Sequence, residues 1–559
     1  MLVFRDCPQF VCARTLVREL SASLARLESG ASDARLDLII DALLRSGELE
    51  CGLADAASPS ASDIMSLTDL LADALIGCGP ARAPELSFWV AKLEAMTLPE
   101  RGRVSPPEGF AYYALHPLAY ALKIASLDVR SKVVAVIGIR SIGTTLSAIA
   151  VAAARRLGWR AERITVRPNG HPFDRQTDFT GEQLRWLATM RESGAEFVVV
   201  DEGPGLSGSS LLSVGEALRR ARVERERITL MCSHEPDLAS LVAPRAAERW
   251  SEFRSAAVDA HPRIPEGAVI DIGGGRWREH CFADRAQWPA VWPQMERVQY
   301  LAADRRTLFR FEGLGRFGSE VLRRARTLAD AGYAPPVRDA GNGFAAYDLP
   351  DGRPCTAGDT DDATLRRIAE YCAFRRAAFP APAALDSAEA LRAMVVVNIK
   401  EEFGIELPES LADFKPVHAV IVDGQMSPHE WLRRSDGAQL HADGTLLKMN
   451  AASHGDDHFF PGPTDIAWDL AGCIVEWQLA PAAAEFFLAQ YQKLSGDEAC
   501  ADDERSRLPF FLLAYAAFRL GFCRMAAAAT RDSDEESRLL DAAARYRGVV
   551  EGQLAKLGA

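Results

Sequence analysis

Between residues 130 and 235 the pattern of apolar and polar positions switches repeatedly between two periods. The runs "KVVAVIGI", "AERITVRP", "EFVVVDE" and "RITLMCS" are short, apolar and rich in β-branched residues, which predicts buried strands. Between them, "TTLSAIAVAAARRLG", "GEQLRWLATMRESG" and "SLLSVGEALRRARV" repeat apolar residues every three or four positions and predict helices. Such alternation specifies an α/β unit, a parallel sheet with crossover helices, whose ligands lie beyond the carboxyl ends of the strands. Residues 1–104 read as a helical N-terminal region, from stretches such as "ARTLVRELSASLARLES" and "LTDLLADAL", with "ADAASPSASD" as a loop. It shows no catalytic constellation and reads as a helical cap or interaction surface.

The α/β unit is expected over residues 105–265. Gly273, Gly274 and Gly275 place a linker at 266–284. A second unit then fills 285–559, with a strand pair in "ERVQYLAADRRTLFRFEGLG", a helix in "SEVLRRARTLADAG" and a largely helical remainder. The 559 residues suffice for roughly two to four domains. Lys and Arg number 64 against 77 Asp and Glu, a net charge of −13, which argues against a nucleic-acid partner. The 11 cysteines form no CxxC pair and suit reduced thiols better than a zinc or disulfide framework. No membrane partner is expected, because neither a signal peptide nor a bilayer-long apolar run stands out. A cytoplasmic location is the corresponding expectation.

Two glycine-rich loops fall at predicted strand ends. In "VVVDEGPGLSGSS", Gly203, Gly205 and Gly208 spell the dinucleotide fingerprint, but Asp201 and Glu202 would face the pyrophosphate. In "GIRSIGTT", the glycines suit a Walker A loop, but Thr144 stands where its lysine belongs. A third reading takes both loops together. "VVVDEGPGLSGSS" resembles the phosphoribosyl diphosphate (PRPP) motif of the type I phosphoribosyltransferases: apolar strand, adjacent acids, then a Ser/Gly loop opening a helix. The resemblance implies that Asp201 and Glu202 hold the ribose hydroxyls and bear on Mg²⁺, while Gly205, Leu206, Ser207, Gly208, Ser209 and Ser210 hold the 5-phosphate. Carboxylates suit vicinal diols, and loop amides at a helix start suit a phosphate dianion. Arg140, Ser141, Ile142, Gly143 and Thr144 would receive the diphosphate, aided by Arg167 and Arg175 of "TVRPNGHPFDRQ". The polar segment 169–179 is expected to be a mobile lid. The loop departs from the family pattern by one extra residue and by Glu202 in place of the commoner second Asp.

The second unit resembles the aminoglycoside phosphotransferase and choline kinase group. Arg310 in "TLFRFEGLG" stands where that group has its nucleotide-pairing lysine, and Glu320 matches the helix glutamate that pairs with it. "DGQMSPHEWL" occupies the place of the catalytic loop, with Gln425 at the base position and Glu430 at the metal-binding Asn position. "LLKMNAASHGDDHFFPGPTDIAWDLAG" resembles the metal-binding segment, with Asn450 where Asp is expected, and Asp469 as the structural aspartate. A neutral amide at 425 and a neutral ligand at 450 weaken both proton acceptance and Mg²⁺ binding. Glu430, Asp456 and Asp457, helped by His454 or His458, form the alternative metal site.

The resemblances imply a phosphoribosyltransferase-type parallel sheet joined to a bilobal kinase-like α+β unit. The implied activity is transfer of the ribosyl group of PRPP, with Mg²⁺, to a base-like acceptor. ATP is a second expected ligand only if the kinase-like unit retains nucleotide binding. Two other functions stay open: a PRPP- or nucleotide-sensing regulator without turnover, and a bifunctional transferase–kinase with a rewired site. The small-molecule partners are PRPP and its acceptor, and homodimer formation also stays open.

Overall fold

The computed structural model describes all residues except 1–8, 30–34, 78–82, 106, 259–262, 382–387, 408–418, 436–445, 457–458, 461, 496–500 and 558–559. The N-terminal region folds as four helices, α1 (Ala13–Ser29), α2 (Arg35–Asp55), α3 (Ala61–Ile76) and α4 (Ala83–Ala95), closed by an antiparallel pair, Gln9–Cys12 with Arg101–Val104. On α1 the buried residues Leu16, Val17, Leu20, Leu24 and Leu27 recur at helical spacing.

Helix α5 (Pro117–Ser126) leads into the parallel sheet. Its strands are β1 (Val133–Ile139), β2 (Arg160–Val166), β3 (Glu196–Val200), β4 (Ile228–Cys232) and β5 (Arg254–Ala257), interleaved with α6 (Ile142–Arg156), α7 (Gly181–Glu192) and α8 (Ser209–Arg220). All neighbouring pairs are parallel, in the order β2-β1-β3-β4-β5. Side chains alternate between two layers, as a period of two requires. Val134, Val136, Val198 and Val200 face a core shared with α1 to α6. Ala135, Ile137, Phe197 and Val199 face a second core with α7 and α8. The N-terminal helices are thus one outer layer of this sheet. A small hairpin, Asn169–His171 with Asp174–Gln176, is inserted between β2 and α7.

The strand Ala268–Asp271, β6, lies within the stretch expected to be a linker, yet it pairs with β7 (Gln299–Ala302). The sheet continues through β8 (Thr307–Phe311), helix α9 (Arg316–Asp330), β9 (Val337–Gly341) and β10 (Phe344–Asp348), antiparallel in the order β6-β7-β8-β10-β9. Phe309, Phe311, Leu314 and Phe344 of this sheet join the core of the N-terminal helices, so the two sheets are not insulated from one another. The other lobe is mostly helical: α10 (Asp362–Ala378), α11 (Ala388–Phe403), α12 (Ala467–Glu476), α13 (Pro481–Ser495), α14 (Ala501–Ala529) and α15 (Asp534–Leu557). A three-stranded sheet of Gly352–Pro354, Trp431–Arg434 and Leu446–Lys448 accompanies them. This unit is therefore a five-stranded sheet with one helix, followed by a helical lobe, the layout that the kinase resemblance implies. Contrary to the sequence reading, one stretch, Arg507–Ala529 of α14, is long and apolar enough to cross a bilayer. Its apolar side chains, Phe511, Leu513 and Leu520 among them, are buried in the core of the helical lobe.

Candidate functional site

In the parallel sheet the strand order reverses between β1 and β3. An open α/β sheet forms its ligand crevice at such a reversal, because the loops leaving the two strands diverge to opposite faces. Both glycine loops leave from this point. Residues 140–142 follow β1, and residues 201–208 follow β3.

The acid pair is built into its surroundings. The Asp201 carboxylate accepts the Glu202 amide at 2.9 Å, and Tyr120 donates its hydroxyl to the Asp201 carbonyl at 2.6 Å. A side chain on Gly109 would meet the Glu202 carboxyl carbon at 2.9 Å, so the short helix Glu108–Ala111 packs directly on the second acid. Burial pushes Asp201 up to about 7, opposed by the Glu202 amide and Arg167 and reinforced by Glu108. Burial also raises Glu202 well above the usual range, with Glu108 and Asp201 adding repulsion. Three carboxylates are thus gathered with little positive charge, a group that takes up protons or a cation.

The loop after the acids turns at Gly205 (φ 58°) and Gly208 (φ 69°), both left-handed, and Gly208 donates to the Pro204 carbonyl at 2.8 Å before α8 begins. Only glycine adopts that backbone without strain. Leu206 is exposed. Ser207 and Ser209, expected on a phosphate, donate instead to the Pro172 carbonyl at the hairpin tip, at 3.1 and 2.8 Å. The carbonyl of Ser210 accepts the Ser213 hydroxyl within α8. The segment expected as a lid thus contains a hairpin whose Pro172 carbonyl is bonded by the loop.

The β1 loop corrects several assignments. Ser141 has φ 121° and ψ −119°, a backbone region that side chains avoid, and such strain concentrates at functional sites. The next three residues turn inward. Ile142 and Thr144 are buried, and a side chain at Gly143 would meet the Val200 carbonyl at 2.5 Å. Gly143 serves the close approach of α6 to β3, and with Ile142 and Thr144 buried only the backbone amides of this loop are left to meet a diphosphate, the contact that the resemblance implies. Arg140 and Arg167 lie at the crevice but face a partner the sequence did not suggest. Asp55, at the end of α2, bonds Arg167 at 2.5 Å and Arg140 at 3.1 Å. Arg167 also donates to the Arg140 carbonyl at 2.7 Å. Arg175 donates to the Gly170 carbonyl of its own hairpin.

In the C-terminal unit, the expected Arg310–Glu320 pair does not form. Glu320 is exposed and meets Arg323 at 3.4 Å, one helical turn away. Arg310 is buried, 3.9 Å from Glu312, which Tyr347 bonds at 2.6 Å. Asp469 accepts the amides of Asp423 and Gly424 at 2.8 and 3.1 Å, fixing the loop as the resemblance implies. Gln425 is half-buried, and its amide donates to Asp423 at 3.3 Å. Asn450 sits in a left-handed turn (φ 55°) after the strand Leu446–Lys448. Glu430 faces a lysine and a histidine, with His454 at 3.4 Å. It is held by Lys448 at 2.7 Å, and Lys448 also reaches Asp423 at 3.2 Å. Asp457 and His458 lie outside the described residues, as does the side chain of Asp456, so Glu430 and His454 are the described part of the alternative metal site.

No family model matches the sequence, and no curated protein matches it. Solved structures similar to part of the chain include a choline/ethanolamine kinase family protein from Mesorhizobium loti, 16% identical, covering 46% of this chain and 88% of that one, with a TM-score of 0.32. Choline kinase LicA from Streptococcus pneumoniae is 14% identical over 46% of this chain and 89% of its own, with a TM-score of 0.30. The GDP complex of aminoglycoside 2'-phosphotransferase-IIIa is 15% identical over 48% of this chain and 92% of its own, with a TM-score of 0.30.

Proposed function

We propose that the parallel-sheet unit binds PRPP and transfers its 5-phosphoribosyl group to a base-like acceptor, releasing diphosphate. The observation that carries this reading is the position of Asp201–Glu202 and its glycine/serine loop opposite the strained Ser141 loop at the strand-order reversal. Two acids suit the ribose hydroxyls, and the turn opening α8 suits a phosphate dianion. In the transfer, the bond from C1 to the diphosphate oxygen breaks with its electron pair on the leaving group, and the acceptor nitrogen bonds C1. The protein contributes position and charge: the acids anchor the sugar, while Arg140 and Arg167 stabilise the departing diphosphate once released from Asp55. Bound with the diphosphate, Mg²⁺ supplies further charge neutralisation, and Asp201 and Glu202, crowded with Glu108, are the residues that would hold it. Asp201→Asn combined with Glu202→Gln is expected to abolish PRPP binding by calorimetry; unchanged affinity overturns the reading.

A second reading is a PRPP sensor without turnover. Asp55 favours it, because one carboxylate neutralises both arginines that the reaction needs. A radiolabelled-PRPP assay with cell extract as acceptor source separates the two, a ribosylated product favouring transfer.

A further inference from the structure

We infer that the C-terminal unit is built around an internal ammonium, Lys448, where the kinase group it resembles holds a divalent metal. While Lys448 is in place, Asp423, Glu430 and His454 bind no such ion. This inference is independent of the PRPP reading. The ligand atoms of Asp423, Glu430 and His454 lie within 4.8 Å of one another, a spacing that on its own suits a metal. The space among the two acids is taken. Lys448 Nζ donates to Glu430 Oε2 at 2.7 Å and to the Met449 carbonyl at 3.1 Å, and lies 3.2 Å from Asp423 Oδ1. An ammonium has three donors; two of them are bonded to oxygens, and Asp423 Oδ1 stands within ion-pair distance. Neither Lys448 nor Asp423 has any exposed side-chain surface. The lysine backbone is fixed too, its amide donating to the Tyr333 carbonyl at 2.8 Å.

A hard divalent ion needs about six oxygen ligands close around it. Inserting one here would set two further positive charges beside an ammonium with no water to screen them. A second buried cation, Arg375, lies 3.9 Å from Asp423 and 3.8 Å from Asp469. His454 stands on the flank, 3.4 Å from Glu430 and 3.8 Å from Asp423. Removing the ammonium leaves two carboxylates and an imidazole around one vacated volume, a donor set suited to Mn²⁺.

The experiment is Mn²⁺ binding to the full-length protein, followed by electron paramagnetic resonance. With Lys448 present, Glu430→Gln should leave the number of bound Mn²⁺ ions unchanged. Lys448→Met should gain one ion per chain, and adding Glu430→Gln should remove it. Loss of an ion from the Lys448 chain on Glu430→Gln overturns the inference. So does a folded Lys448→Met chain that gains none. Should Lys448→Met fail to fold, Lys448→Arg, which keeps a cation, serves as the second variant. It should fold and bind no ion sensitive to Glu430→Gln, and such binding overturns the inference.

Discussion

Asp201 shows how one residue ties site chemistry to stability. Its folded value is raised to about 7 while an unfolded aspartate titrates near 4, so the native state holds this proton more tightly. The stability gained from that proton is present below about pH 4 and is lost as pH rises through 7. Asp201→Asn, permanently neutral, should therefore match the parent in urea denaturation at pH 4. At pH 8 it should be more stable by roughly 1–3 kcal/mol. A cation bound by the acids has the reverse linkage, since it favours the ionised form. If Mg²⁺ and PRPP bind here, their uptake near pH 6 should release a proton, seen as a dependence of the calorimetric heat on buffer ionisation enthalpy. At the same scale, Lys448 shows what the sequence concealed. It stands in the apolar run "LLKM", and its partner Glu430 lies in the short turn just before the neighbouring strand, so neither spacing nor period marks it as a buried cation.

Helix α2 was read as part of a bland cap, and it is the main electrostatic contact of the N-terminal region. Glu48 pairs with Arg316 of α9 at 2.7 Å, Glu50 with the fully buried Arg163 of β2 at 2.7 Å, and Asp55 with Arg140 and Arg167. None of these pairs is near in sequence, so helical periodicity gives the buried stripe of α2 but not the acids that leave its other edges. Removing one partner from a buried pair leaves an uncompensated charge. Glu50→Gln is expected to destabilise the fold by about 3 kcal/mol, although Asp69 at 2.6 Å retains some hold on Arg163. Loss of less than about 0.5 kcal/mol in denaturant titration, as for an exposed pair such as Glu320–Arg323, would contradict that role. Asp55→Asn should raise PRPP affinity several-fold if the two guanidiniums meet its diphosphate, and calorimetry reads the change directly. The hairpin beside the loop has its own test. Ser207→Ala with Ser209→Ala removes both bonds to Pro172, and amide hydrogen exchange across 169–176 should quicken.

Across the whole chain, the N-terminal helices, the parallel sheet and part of the antiparallel sheet pack into one apolar core. The alternating strands and helices were legible because each period is local, and the acid pair was legible because it ends a strand. The boundary was not, because β6 is only four residues long and its pairing with β7 spans residues 272–298, which hold only helices of three or four residues. A fragment beginning at residue 285 would lose β6 and the buried Arg278–Glu535 bond at 2.9 Å. It would also bare Phe309, Phe311 and Phe344, which now pack among the N-terminal helices. Phosphotransfer by the C-terminal unit therefore has to be measured on the full-length protein, and it is expected to be absent. By the kinase resemblance Gln425 stands where a carboxylate is expected, and by the inference above Lys448 takes the place of a metal between Asp423 and Glu430. These two defects act in series, since phosphoryl transfer depends on charge and positioning together. Gln425→Asp alone should restore no transfer from ATP with Mg²⁺ or Mn²⁺ to any product of the first unit. Restoration by that single change would show that the ammonium does not stand where the metal must, and that the unit is one substitution away from a kinase.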